Sequence, residues 1–198
     1  MAGVKKYDRA DLLDRATDLF HRQGYNGTST AELVEELGVN RKSMYAEFGS
    51  KQGLFEAALE HYDAHSLSAV LQAVEAPDAD LEAIRTTFDG FVEASREWAQ
   101  GRGCLLCNTA VERVTLEPST GRHVDAYFAR LNTAFGNALA NARSAGELGA
   151  DADVEELGAF FTMTLLGIAT LAKGQARHDR IEAANRVAMG VLESHTTG

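Results

Sequence analysis

Apolar positions along this chain recur with the period of a helix, and glycine or proline cuts the pattern at short intervals. Within residues 7–23, Leu12, Leu13, Ala16, Leu19 and Phe20 fall at the i, i+3, i+4, i+7 spacing of one buried helix face. Gly24 and the following YNGTS stretch predict its end. Ser29 or Thr30 caps a second helix whose Leu33, Val34 and Leu37 face inward, and Gly38 closes it. The run RKSMYAEF predicts a third helix ended by Gly49, and Ser50 caps a fourth over residues 51–75. Past Pro77 a fifth helix over residues 78–100 carries Leu81, Ile84, Phe88, Phe91 and Trp98 on one side. Four more follow, at residues 104–116, about 120–145, about 154–173 and 179–193. No run joins strand alternation to hairpin turn signals. The expectation is an all-α chain of about nine helices, with a three-helix head at residues 1–50 and a larger helical body at 51–198.

Composition agrees: Ala, Leu and Glu dominate and only 2 prolines occur, a mix that costs little to hold in helices. Charge adds an asymmetry. Eight Lys/Arg and eight Asp/Glu lie within residues 1–51, so the whole net charge of −10 is carried by the remaining 11 basic and 21 acidic residues. An acidic body still permits an anionic partner at a locally basic face, because exposed charges beyond about 10 Å are screened in ~0.1 M salt. The start, MAGVKKYDRADLL, has no apolar stretch of the signal-peptide kind. The most apolar run, residues 158–172, is expected to fall short of the ~20 residues a membrane crossing needs. Two cysteines make no disulfide framework. A cytoplasmic protein with no membrane partner is expected.

Little points to catalysis. Cys104 and Cys107 form a C-x-x-C without the second pair that structural zinc requires and without a strand–helix setting. They read as a buried pair on one helix face, with a thiol switch as the alternative. His61, Asp63 and His65 include an i, i+4 histidine pair but lack a convenient third ligand, so surface histidines are expected. No nucleophile elbow, phosphate loop or HExxH occurs; no enzyme activity, cofactor or metal is expected.

The stretch GVNRKSMYAEFGSKQGLF carries the sharper signal. Two short helices joined by a glycine-containing turn have the helix-turn-helix form, in which the second helix enters a DNA major groove. Ala31, Val34, Leu37, Val39, Met44 and Phe48 are expected to form a small core fixing the interhelix angle. Lys42 and Ala46 then point away from Met44 and Phe48, with Ser43 beside them and Arg41 and Tyr45 at the margin. Spacing alone equally fits a packing unit in an all-helical ligand-binding or scaffold protein.

TSTAELVEELGVNRKSMYAEFGSKQGLF resembles the DNA-binding signature of TetR-family transcriptional regulators. The shared features are the hydroxyl residues before the second helix, Gly38-Val39 in the turn, Tyr45 and Phe48 three apart, and Lys51 followed by Leu54. The Leu12–Phe20 helix and the Gly24-Tyr25 step also match, and GRGCLLCNTAVE resembles a phrase of one broad subgroup. Val34 departs, standing where many relatives carry alanine. The resemblance implies a ligand-responsive transcriptional regulator, a repressor bound to a near-palindromic double-stranded DNA operator as a homodimer and released by a small-molecule effector. It implies that Arg41, Lys42 and Ser43 face base edges, that Tyr45 and Lys51 bind phosphates, and that Thr28 and Thr30 touch the backbone. Lys5 and Lys6 would add unspecific attraction.

The last two helices supply an interface, since VEELGAFFTMTLLGIATLAKG is apolar almost all round. IEAANRVAMGVLE sets Ile181, Ala184, Val187, Ala188, Val191 and Leu192 on one side, and Gly158, Gly167 and Ala169 would let helices approach closely. The resemblance pairs these helices with their copies in a four-helix bundle. The middle helices would surround an effector cavity walled by Phe88, Phe91, Trp98, Tyr127, Phe128 and Phe161, with Arg102, His123, Asn132 and Thr164 as polar points.

Overall fold

The computed structural model describes residues 7–97 and 102–197, which leaves Lys5, Lys6 and Trp98 outside. Helix α1 (Arg9–Gly27) starts at Asp8, whose carboxylate accepts the Ala10 N–H at 2.8 Å. Its regular part ends at Gly24, where φ 76° and ψ 173° break the helix before one further turn. Helix α2 (Thr30–Leu37) opens on a reciprocal cap: Ser29 accepts the Glu32 N–H, and the Glu32 carboxylate accepts the Ser29 N–H. Gly38 closes it in the left-handed region, φ 62°. Asn40 and Ser50 cap α3 (Arg41–Phe48) and α4 (Lys51–Tyr62) through the Ser43 and Gly53 N–H groups.

The predicted fourth helix is one rod with a fault in it. After Tyr62 a π-helical turn (Asp63–Leu67) precedes the single turn α5 (Ser68–Leu71). Arg130 reaches across to this fault, donating to Asp63 at 2.5 Å, to Ser68 Oγ at 3.1 Å and to Glu75, while Ser68 Oγ donates to the Asp63 carbonyl. Then come α6 (Leu81–Glu97), α7 (Leu105–Glu112) with a 3-10 turn (Arg113–Thr115), α8 (Pro118–Ser144), α9 (Val154–Lys173) and α10 (His178–Ser194). Among the described residues no strand occurs, only an isolated bridge between Leu148 and Thr196. The all-α expectation holds.

Helices α1 to α3 form the head, with α1 lying along α4 and touching α7. The body core is aromatic: Phe88, Phe135 and Phe161 are fully buried and pack tilted or edge-to-face, with ring centres 5.7–6.2 Å apart. Gly158 sits against the Gly136 backbone, so the small residue serves contact between α8 and α9 within the chain. The apolar run proves longer than its sequence suggested. Helix α9 has 20 residues and is long and apolar enough to cross a membrane by length and composition. Here its inner face packs on α6, α8 and α10.

Its outer face is a different matter. Phe160, Met163 and Leu171 are 37%, 69% and 52% exposed, and Val187 of α10 is 67% exposed. Val187 thus leaves the side it was expected to share with Ile181, Ala188 and Leu192, which are buried.

Candidate nucleic-acid interface

The head sets α3 at an angle by burying Leu33, Leu37 and Met44, with Val34, Val39 and Phe48 packed around them. Ala31, expected inside, is exposed on α2. With Met44 inward, Arg41 and Lys42 stand fully out and Ser43 is half-buried beside them. The Asn40 side-chain oxygen is engaged as the cap of α3, holding the Ser43 N–H at 2.8 Å.

Tyr45 ties the two helices together at the surface. Its hydroxyl lies 3.4 Å from Thr30 Oγ1 and accepts from Arg41 at 3.4 Å, and the Arg41 guanidinium sits 5.4 Å from its ring centre. Hydrogen bonds to Thr30 and Arg41 lower the pKa of this phenol below its ordinary value, which makes it a better donor to an anion. Lys51 begins α4 with its ammonium donating to the Tyr25 carbonyl at 2.6 Å and resting 4.1 Å from the Tyr25 ring centre. Burial lowers its pKa, against the pull of Glu112 and Glu32. Thr28 stands apart from the rest of the expected set. It is 1% exposed, and its hydroxyl donates to the Gly24 carbonyl at 2.7 Å, so it braces the turn between α1 and α2.

Thr30 on α2, Arg41, Lys42, Ser43 and Tyr45 on α3 and Lys51 at the start of α4 thus belong to neighbouring elements, with Arg41 and Lys42 exposed. Of the residues expected around an effector, Trp98 lies outside the described residues. Phe91 and Arg102 line a groove of about 400 Å³ between α1, α4, the π turn and α6. His123 and Tyr127 line a separate space of about 110 Å³ with Leu106 and Arg130. Phe88 and Phe161 are fully buried in the aromatic cluster with Phe135, Phe128 is half-buried, Asn132 is exposed, and Thr164 donates to the Phe160 carbonyl.

Both cysteines are free and buried. Burial pushes the Cys104 thiol up, but hydrogen bonds with Cys107, Tyr127 and Tyr62 outweigh it and bring its pKa to about 7. The Cys107 thiol moves up, through its bond to Cys104 and its burial. His61 pairs with Asp14 at 2.6 Å and His65 bonds back to the His61 carbonyl, while Asp63 turns to Arg130. Among the described residues no three His, Cys, Asp or Glu side chains converge to hold a metal.

Sequence reasoning gave no role to Glu112, His21 or Lys173. Glu112 accepts the backbone N–H groups of Tyr25 and Asn26. His21 is buried against the Gly103 carbonyl at 2.6 Å, and Lys173 donates to the carbonyls of His21 and Arg22. Only the Gly24 break hinted that something docks there.

Comparison with known proteins places this geometry. Residues 12–58 match the family model described as bacterial regulatory proteins, tetR family, and residues 80–188 match that of the tetracyclin repressor-like C-terminal domain. An uncharacterized HTH-type transcriptional regulator of Bacillus subtilis, YezE, is 34% identical over 98% of this chain and 100% of its own length. The HTH-type transcriptional repressor ComR of Escherichia coli is 28% identical over 89% of this chain and 85% of its own. Among solved structures, a cysteine mutant of the TetR-family regulator CifR in complex with a 26-base-pair operator DNA superposes with a TM-score of 0.71, at 28% identity, covering 93% of this chain and 97% of that one. A regulatory protein TetR from Rhodobacter sphaeroides, at 22% identity, reaches 0.80 and shares the fold. The chain belongs to the TetR family of DNA-binding transcriptional regulators.

Proposed function

We propose that this regulator is a cytoplasmic repressor that holds a near-palindromic operator as a homodimer and lets go when a small molecule binds its body. The observation that carries the DNA half is the presentation of α3: Met44 is buried while Arg41 and Lys42 stand out with Tyr45 and Thr30 linked beside them. Arg41 and Lys42 offer donors to base edges, guanine above all. Tyr45, Thr30 and Lys51 face the phosphates on either side, Lys51 by leaving the Tyr25 carbonyl. Thr28 acts from within, by fixing the turn. The regulator ComR is named a repressor, which supports the same direction of control here, and CifR is solved on operator DNA, which supports the DNA contact.

The dimer reading rests on the outer face of α9 and α10. Phe160, Met163, Leu171 and Val187 expose apolar side chains at helical spacing around Gly167 and Gly190, a stripe suited to the same stripe on a second copy. One head reads too few base pairs to stand out among genomic competitors; two, fixed to each other, do. An effector then acts by its differential affinity for two spacings of the heads. A second reading starts from Cys104 and Cys107, buried side by side at the start of α7: an electrophile or oxidant that modifies one of these sulfurs releases DNA in place of a reversible ligand.

The test is a mobility shift with the DNA upstream of the protein's own gene, run beside sedimentation of the free protein. A retarded, salt-reversible band and a dimer are expected. A monomer with no preference over bulk competitor DNA overturns the proposal.

A further inference from the structure

The end of α7 reaches out of the body and grips the head at one point. Glu112 Oε1 accepts the Tyr25 N–H at 3.2 Å, and Oε2 accepts the Asn26 N–H at 2.9 Å and the Asn26 side-chain amide at 2.8 Å. That amide also donates to Thr115 Oγ1 at 2.7 Å, whose own hydroxyl donates to the Glu112 carbonyl at 2.8 Å. A carboxylate on two successive backbone N–H groups is charge-assisted and directional, so it fixes orientation as well as proximity. The chain makes room for it. Gly24 adopts φ 76°, and a Cβ there would collide with the Glu112 carboxylate. Both the backbone angle and the space call for glycine.

The gripped segment is also where the first residue of α4 is anchored. The Tyr25 carbonyl takes the Lys51 ammonium, while the Tyr25 N–H is held by Glu112. One peptide segment thus links α7 of the body to the lysine beside the DNA-facing end. On the opposite side of the same turn, Lys173 of α9 holds the carbonyls of His21 and Arg22, and His21 meets Gly103 just before α7. The N–H side and the carbonyl side of the α1 terminus are each held by an opposite charge from the body.

We propose that Glu112 is the positioning residue that sets the angle of the head on the body, and through it the separation of the two recognition helices. This rests on the two-headed operator reading above. Movement of α7, which begins at the Cys104 pair, then changes head placement through this carboxylate, in addition to the packing of α1 on α4 and α7.

Glu112→Gln keeps the side chain's size but removes its charge and turns an N–H donor toward backbone donors. Two readouts follow. By hydrogen exchange, the Tyr25 and Asn26 amides are protected in the wild type and speed up about tenfold in the variant, the scale of one lost charge-assisted bond. By binding, the wild type loses affinity when its half-sites are moved two base pairs from their best separation. The variant should reduce that penalty by about tenfold while keeping its affinity for a single half-site. A merely structural role would lower thermal stability and leave the spacing penalty alone. Asn26→Ala, an exposed site, serves if the Gln variant does not fold, and should move both readouts the same way by less. A folded Glu112→Gln protein with the full spacing penalty and slow amides overturns the inference alone. A wild type indifferent to spacing overturns the two-headed reading, and this positioning role with it.

Discussion

Replacing Tyr45 with phenylalanine removes one hydroxyl and leaves the ring beneath Arg41 in place. In the free protein that hydroxyl makes two long contacts, 3.4 Å to Thr30 and 3.4 Å to Arg41, at a surface open to water. Their loss should barely change folding stability. In the proposed complex the hydroxyl donates to a charged phosphate, a bond worth about 1.5–3 kcal/mol. The lower end applies, because the site is exposed and the hydroxyl must give up its partners to make it. Distant sites add, so two heads lose about 3 kcal/mol together, roughly a hundredfold in operator affinity. The phosphate is common to every sequence, so the loss should be uniform across a panel of operator variants. A neutral hydroxyl displaces no counterion, so the slope of log affinity against log salt should stay that of the wild type. Fluorescence anisotropy titrations at several salt concentrations, over a base-substituted operator panel, give all three quantities. Binding within twofold of wild type, or a changed ranking of operators, refutes the phosphate role.

The remaining predictions fall on other parts of the molecule. Lys42→Ala should reorder operator preferences in the same panel; an unchanged ranking removes Lys42 from base reading. Met163→Asp places a charge in the proposed interface, which costs about 3 kcal/mol when such a charge is buried unpaired; sedimentation should show a raised dimer dissociation constant and secondary structure intact, whereas an unaltered dimer places the interface elsewhere. His21 is held neutral by burial, its pKa below the ordinary 6.5, with the Gly103 bond opposing and Lys173 and Arg102 adding to the fall. The unfolded chain therefore takes up this proton first as pH drops below 6.5, and stability is lost by at most about 1.4 kcal/mol per pH unit. His21→Gln should flatten the dependence of melting temperature on pH just below 6.5, and an unchanged slope contradicts the assignment. If the thiol reading holds, Cys104→Ser stays on operator DNA in the presence of N-ethylmaleimide while the wild type comes off; equal release of both ends that reading.

The head was legible because its signals are local. The Ser29–Glu32 cap, Gly38, Asn40, Gly49 and Ser50 each act within four residues, and together they fix five helix ends before any tertiary contact is considered. The bounds of α9 were legible for the same reason, with Asp153 capping an unbroken apolar run. The π turn at Asp63–Leu67 was not, because its partner Arg130 lies 67 residues away in the sequence. Val187 and Ala31 went to the wrong face because helical period fixes which residues share a side but not where that side ends. An alanine or valine at the boundary is decided by its neighbours. Phe88 and Phe161 are of the residue types that line cavities and equally of those that fill cores, and sequence alone does not show that both are buried against Phe135. Glu112 closes the GRGCLLCNTAVE phrase, but its role was not legible, since a glutamate at a helix end is ordinary until the N–H groups it meets are known.

The central claim is that two copies of α3, rigidly held and symmetrically paired, read one duplex. Selection of bound fragments from a pool of randomised double-stranded DNA tests it in a single measurement. The account predicts enrichment of a two-fold symmetric motif whose half-sites keep one fixed separation. Enrichment of a lone, asymmetric half-site, or of no sequence over the starting pool, contradicts it.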